Sequence, residues 1–399
     1  ITRYPATEYA RDAQVKIDRT HVRVEGSRGS VLDTTLGRTI ADIPDIGQPL
    51  LTVEGTATGA APAFLRFVRQ SPVSGWTGGS TDAVQASGNG TLGYRITLPL
   101  HHIEALGLTG SFALDGGAVT WPGVPPMSGV AGKFGFDEKG VVDGGFDAVI
   151  LGDAAHVALS RGAAGDGGLR VNANGSADFA LLRTFYPVAF VDRVTGVSDW
   201  RFDGMAQTDG MAWSATSTMQ GAAIDLPAPF GKSAAGALPV RIERRGDSGR
   251  TDRDTLSVAL GSAGTIVMHR KISAGQPVIE RALVLAGNAV EKPGDAERPG
   301  IWIRADLPSI NIDDWLAIDS SPAAGASPPQ APMKLAGIDL TATRLTALRR
   351  RFRDLNVSAR RDGDNWQLTL QGRDVDGTAA WYAAAPNTPR VAVGCQPLS

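Results

Sequence analysis

Short runs in which apolar and polar residues alternate, each closed by glycine, proline or an Asp-Gly type turn, recur along this chain and restrict what it can fold into. In the clearest run Val240 and Ile242 share one parity while Arg241 and Glu243 share the other. That is the period-two mark of a strand with one buried face and one wet face. Tyr94, Ile96, Leu98 and Leu100 repeat it against Arg95 and Thr97. So do Phe112 with Leu114, Phe134 with Phe136, Phe146 with Ala148 and Ile150, and Val157 with Leu159. Leu256 with Val258 and Leu260, Leu283 with Leu285 in the run 279–285, Ile301 with Ile303, Leu355 with Val357, and Trp366 with Leu368 and Leu370 continue it. Reading by this template gives roughly 25 strands, most of them joined by local turns.

Composition supports many short strands over long helices. Gly 49 and Pro 24 are frequent among the 399 residues, yet 42% are hydrophobic and only 6% aromatic, which argues against disorder as well. Lys and Arg total 39 against 41 Asp and Glu, a net charge of -2, so no global field attracts nucleic acid or an anionic surface. Cys395 stands alone, which excludes an internal disulfide and a cysteine-based zinc cluster. No run approaches the roughly 20 apolar residues of a membrane-spanning helix, and Ile1 follows no leader, so the chain is expected to be an internal or truncated piece of a longer protein.

Three short helices interrupt the strands. Phe64, Leu65 and Val68 fall at helical spacing over 64–70 between Pro62 and Pro72. Leu181 and Leu182 suggest a second over 179–183, ended by Pro187, and 312–316 a third with an Asn or Asp cap, which also accounts for the adjacent Asp313 and Asp314. The segment 40–51 reads as a Pro/Gly-broken connector. Ser, Ala and Pro dominate 319–332, a flexible loop dividing a β-groove segment over 1–318 from its continuation over 333–399.

Several tempting motifs fail on context. Gly88 to Gly93 spells G-x-G-x-x-G but leads into a strand where dinucleotide binding needs a helix. Gly231-Lys232-Ser233 ends like a phosphate loop, but Leu226 stands where its first glycine belongs. His101, His102 and Glu104 lack a third ligand, and neighbours on a strand point apart, so a solvated turn is the expectation. No G-x-S-x-G elbow occurs. The chain is expected to be no enzyme and to need no metal or cofactor.

Residues 218–244, TMQGAAIDLPAPFGKSAAGALPVRIER, form a unit of strand, proline-stiffened crossover and strand. This unit resembles a signature of the YhdP-type branch of the AsmA-like envelope proteins. Ile43-Pro-Asp before Leu51-Thr-Val-Glu-Gly, Phe64-Leu-Arg-Phe-Val, the run from Gly129 to Phe136, Asp313-Asp-Trp-Leu and the stretch from Trp366 to Trp381 resemble the family as well. The resemblance ends after Pro389.

The resemblance implies a mainly β fold: an elongated, twisted and curled antiparallel sheet forming an apolar groove, with a few short helices. It further implies a bridge-like carrier of phospholipid between the inner and outer membranes of Gram-negative bacteria. Such a protein sits in the periplasm, held to the inner membrane by an N-terminal helix absent from this chain. Its partners would be phospholipid acyl chains and the two membranes, with no nucleic acid. At about 4.8 Å per strand the ribbon would run on the order of 120 Å. The candidate lining is the apolar parity of each strand: Ile96, Leu98, Phe112, Leu114, Phe134, Phe136, Phe146, Ile150, Val240, Ile242, Leu256, Val258, Leu283, Leu285, Ile301, Ile303, Leu368 and Leu370. The alternatives are that these faces pack on one another as a dry core, that the chain is a structural adhesin-like envelope protein, or that it is a carbohydrate-active hydrolase.

Overall fold

The structure, a computed structural model, describes residues 11–71, 81–102, 105–121, 124–162, 168–186, 191–207, 210–247, 250–273, 276–292, 298–318, 334–382 and 390–395. The chain is mainly β. It divides into two compact units, Ile1–Ala177 with Arg201–Thr208 and Asp178–Trp200 with Asp209–Ser399.

The first unit is built from β1 (Arg11–Asp18), β2 (His21–Val31), β3 (Thr34–Ile43), β4 (Leu50–Ala60), β5 (Gln85–Ala86), β6 (Asn89–Pro99), β7 (Gly107–Thr120), β8 (Met127–Asp137), β9 (Gly140–Ile150), β10 (Asp153–Arg161) and β11 (Leu169–Asp178). They pair antiparallel in chain order, except that β4 pairs directly with β6 and the two-residue β5 sits beside β7. The connector expected over 40–51 is shorter than that. β3 runs on to Ile43, with Asp42 tied across the ladder to His21 at 2.9 Å and to Arg23 at 3.6 Å, and β4 starts at Leu50.

The second unit takes the start of β12 (Val194–Gln207), then β13 (Gly210–Ser217), β14 (Ala222–Ile224), β15 (Val240–Asp247), β16 (Arg250–Leu260), β17 (Gly264–Ser273), β18 (Gln276–Gly287), β19 (Gly300–Asn311), β20 (Leu335–Ala347), β21 (Arg350–Asp362), β22 (Asn365–Gln371), β23 (Asp376–Tyr382) and β24 (Arg390–Cys395). β13 pairs with β15, and the ladder continues in chain order to β24. The expected antiparallel pattern is broken here, since β18 with β19 and β19 with β20 are parallel. Parallel neighbours need a long return connection, and residues 288–299 and 312–334 separate these strands in the sequence. The strands form one mixed sheet that is not closed into a barrel.

The three expected helices are present: α1 (Ala61–Gln70), α2 (Phe179–Phe185) and α3 (Ile312–Leu316). Pro62 falls in the first turn of α1, where a missing N–H costs nothing. The Asp178 carboxylate caps α2 through the Ala180 N–H, and the Asn311 amide oxygen caps α3 through the Asp313 N–H. The loop expected over 319–332 lies outside the described residues.

Aromatic rings on these strands lie over glycines of the neighbouring strand. A Cβ on Gly90 would come within 2.4 Å of the Phe112 ring, and one on Gly110 within 2.5 Å of the Phe136 ring and 2.5 Å of the Gly93 carbonyl oxygen. Gly110→Ala is therefore expected to cost about 1–3 kcal/mol, the usual penalty for forcing extra atoms into filled space. Gly26→Ala, in β2 where a Cβ would meet nothing within 4 Å, is expected to be neutral or to gain about 0.5–1 kcal/mol. Urea midpoints compared at unchanged slope check both.

Candidate functional site

Cross-strand partners in register share a face of the sheet. In the first unit the ladders run Leu51 to Leu98, Val53 to Ile96, Leu92 to Phe112, Phe112 to Phe134, Gly132 to Phe146 and Phe146 to Val157. One face thus holds Ile96, Leu98, Phe112, Leu114, Phe134, Phe136, Phe146 and Ile150. The other carries Glu54 opposite Arg95, joined at 2.6 Å, and Asp147 opposite His156, joined at 2.8 Å.

In the second unit Ala215, Ile242, Val258, Ile266, Val284, Ile303, Ile338, Ala359, Leu368 and Ala379 succeed one another in register. Val240, Leu256, Ile301 and Leu370 share that face. Leu283 and Leu285 do not. They pair with Val267 and Thr265 on one side and with Trp302 and Arg304 on the other, which places them on the polar face. The cause is a bulge at Glu280: His269 pairs with Arg281 while Arg270 pairs with Ile279, so β18 changes parity midway. Ala282, Val284 and Ala286 occupy the apolar face in their place.

The apolar faces are half-buried rather than sealed. Ile150 is 7% exposed, whereas Ile96, Leu98, Phe112, Leu114, Phe134, Phe136 and Phe146 are all only partly covered, as are Val240, Ile242, Leu256, Val258, Ile301, Ile303, Leu368 and Leu370. Two local pieces cover what is covered best. In the first unit Phe64 of α1 meets the Phe112 ring edge-on at 5.2 Å, and Phe112 lies 5.8 Å from Phe134.

In the second unit the proline-rich segment after β14 is stitched into a plug. Ile224 and Lys232 exchange backbone hydrogen bonds at 2.9 and 3.1 Å, and the Lys232 ammonium donates to the carbonyls of Met219, at 2.7 Å, and Ala222. Burial pushes that ammonium below its ordinary pKa. Gly231 has no alternative, since a Cβ there would sit 1.8 Å from the Leu226 oxygen. Phe230 packs edge-on against Trp315 at 5.9 Å and joins the cluster of Ala286, Ala305, Leu307, Leu340, Ala342, Leu345 and Leu355. Met219, Ala222 and Ile224 close a second cluster with Phe179 and Val194.

Asp313 does more than belong to a cap. Its carboxylate accepts the Leu348 and Arg349 N–H groups at 2.7 and 2.8 Å, clamping the tight β20–β21 turn where both residues have positive φ. His101 and His102 lie in an exposed turn after β6, and Glu104 falls outside the described residues. Among the described residues no group of three or more His, Cys, Asp or Glu is placed to hold a metal, and no helix is long and apolar enough to cross a membrane.

One charged feature sits on the apolar parity itself. Asp254, 1% exposed, lies two residues before Leu256 and accepts from Arg244 at 2.6 Å and from Arg270 at 2.7 and 2.9 Å. Burial alone would raise its carboxyl pKa, but the hydrogen bonds and charges of Arg270 and Arg244 hold it below the usual carboxylate range. The sequence carries the cue, since Arg244 has the parity of Ile242 and Arg270 that of Met268.

An open, mixed β-sheet, apolar on one side and laced with ion pairs on the other, defines a class of protein distinct from closed barrels. The chain belongs to the YhdP family, whose model, described as YhdP protein, matches residues 9–393. No match was found among curated proteins or among solved structures.

Asp254→Ala would leave two guanidinium groups around an empty position and is expected to cost about 3–5 kcal/mol. Because the folded-state pKa is depressed, the Asp254 contribution is complete above the unfolded value of about 3.9 and is lost as pH falls through the lower folded value. Chemical denaturation at pH 7 and pH 3 should show the wild type losing stability on acidification and the variant losing less of it.

Proposed function

We propose that this chain carries phospholipid along the apolar faces of its two units, as part of a bridge across the periplasm between the inner and outer membranes. Membership of the YhdP family is consistent with envelope lipid transport. The observation that carries the finer reading is the register itself, which keeps Val, Ile, Leu and Phe on one face from strand to strand and leaves most of them partly exposed. A dry core would bury such residues almost fully.

Moving a phospholipid with two chains of about 16 carbons into water costs roughly 25 kcal/mol at about 0.8 kcal/mol per CH₂. A continuous row of aliphatic and aromatic side chains removes most of that cost without a chemical step, and no catalytic group enters the reading. The cargo follows the row from strand to strand. The membranes at either end and the protein's tether to the inner membrane belong to this proposal.

Adjacent positions on one strand provide the test. A photo-crosslinking amino acid placed at Ile242, Val258 or Val284 is expected to capture phospholipid in cells, whereas the same group at Arg241, Ser257 or Leu283, one residue away, is expected to capture little. Ile242→Asp should lower co-purifying phospholipid at least about tenfold with the melting temperature largely kept, since a carboxylate at a partly exposed position can stay hydrated. Equal crosslinking at both parities, or unfolding by Ile242→Asp, would show the face to be a packed core and end the carrier reading.

A further inference from the structure

The turn that closes β20 on β21 holds a large apolar side chain out in water. Its two central residues, Leu348 and Arg349, have φ of 53° and 60°. Hairpin turns of this hand favour Asn or Gly at both positions, because a bulkier side chain is strained in the left-handed region. Leu348 is nevertheless 83% exposed, so no burial offsets its strain. What holds the turn is the Asp313 carboxylate of α3, which accepts both N–H groups and is thereby committed. Leu316, at the end of the same helix, is 72% exposed. Two exposed leucines are therefore tied to one clamp.

Cations gather on the same hairpin. Arg349, Arg350 and Arg351 follow one another and are exposed, as is Arg344 on β20. Their cross-strand neighbours offer no carboxylate, since Arg350 pairs with Ala347, Arg351 with Thr346 and Arg344 with Arg353. Among the described residues, the side chains of Arg344, Arg349, Arg350 and Arg351 take part in no hydrogen bond or ion pair. The neighbouring carboxylates are engaged elsewhere, Asp374 with Arg353 at 2.7 Å and Asp354 with Arg373 at 2.8 Å. Asp314 is exposed on α3 and joins none of the four. The segment 319–333, outside the described residues, contains one charged residue, Asp319. Further along β21 the arginines are pinned, Arg360 to Asp339 at 2.6 Å and Arg361 to Asp364 at 3.1 Å.

We propose that this hairpin tip docks on an anionic lipid surface, with Leu348 entering the headgroup layer and Arg349, Arg350 and Arg351 meeting lipid phosphates. An apolar apex beside long basic side chains has the composition of an interfacial anchor. Guanidinium forks match phosphate oxygens, and their stems follow apolar surface while the charge stays wet. The lack of pinning favours a membrane over an acidic protein. Arginines that read a fixed array of carboxylates gain from being held in one geometry, whereas a fluid array of headgroups is met as well by free ones. Leu348 and these arginines are not part of the apolar row through Ile338 and Ala359, so docking does not rest on the acyl-chain reading.

Co-flotation of the full chain with phosphatidylglycerol vesicles, compared with phosphatidylcholine vesicles, isolates the charge-dependent part of any binding. The wild type is expected to show an excess with phosphatidylglycerol that falls as salt rises. Arg349→Gln, Arg350→Gln and Arg351→Gln combined are expected to lower that excess at least about tenfold, each arginine near an anionic surface contributing about fivefold. Leu348→Asn removes the apolar apex and supplies a residue that accepts positive φ. It is expected to weaken flotation at least about threefold with the melting temperature kept or raised. Arg95→Gln, in the first unit, is expected to leave the excess unchanged. Titration with polyglutamate tests a protein-like polyanion instead. An excess lost in both tip variants supports docking, and if the triple variant fails to fold, Leu348→Asn decides. No excess with phosphatidylglycerol, an excess that a folded tip variant keeps, an equal loss in Arg95→Gln, or binding to polyglutamate without flotation overturns the proposal.

Discussion

A strand turns successive side chains to opposite faces, so every cross-strand pairing also decides which side chains share a surface. Slipping one ladder by a single residue would carry the rest of the sheet's apolar set to the wrong side. The apolar row from Val53 through Ile96 to Leu108, and the one from Ile242 through Val258 and Ile266 to Val284, exist only because each ladder holds its register. Where the chain departs from strict alternation a bulge restores it. At Glu280 the extra residue moves Ala282, Val284 and Ala286 into line with Ile301, Ile303 and Ala305.

The polar face helps keep that register more than it stabilises the fold. Exposed pairs such as Arg95 with Glu54 contribute about 0–1 kcal/mol each. Their placement directly across the ladder penalises slipped alternatives that would set like charges side by side. The Arg244, Asp254 and Arg270 group is different in kind. It buries a carboxylate on the apolar parity, where desolvation is expensive, and it ties β15, β16 and β17 together at the same end. Breaking it exposes the cost; keeping it fixes three strands at once.

Alternation carried most of the fold into the sequence. Strand existence, the three helices and the parity of Phe112, Phe134, Ile242 or Val258 follow from period and punctuation alone, because each residue's polarity states its face. Leu283 and Leu285 could not be assigned that way. The run from Ala282 to Ala286 is apolar at every position, and a bulge leaves no mark in composition. The parallel pairing of β18, β19 and β20 was hidden for a related reason, since direction depends on where 288–299 and 312–334 return the chain and not on the strands themselves. The Lys232 stitch and the Asp313 clamp were equally opaque. Both are contacts between a side chain and backbone groups that sequence spacing cannot bring together.

A sheet with one apolar face must bury it against something. Among the described residues the cover is partial: α1 with Phe64 over Phe112 in the first unit, and the Lys232-stitched plug with Phe230 and Trp315 in the second. The aromatic rings lean over glycines of the next strand, which keeps the surface low and smooth rather than filling the space above it. More side-chain bulk at those glycines would protect the face from water but would also close it. The combination of low relief, a parity restored by the bulge at Glu280 and local plugs suits a surface whose remaining cover would arrive from outside. That requirement is what the proposed acyl-chain cargo would meet, and it explains why the strands spend their polar residues on register instead of on a cleft.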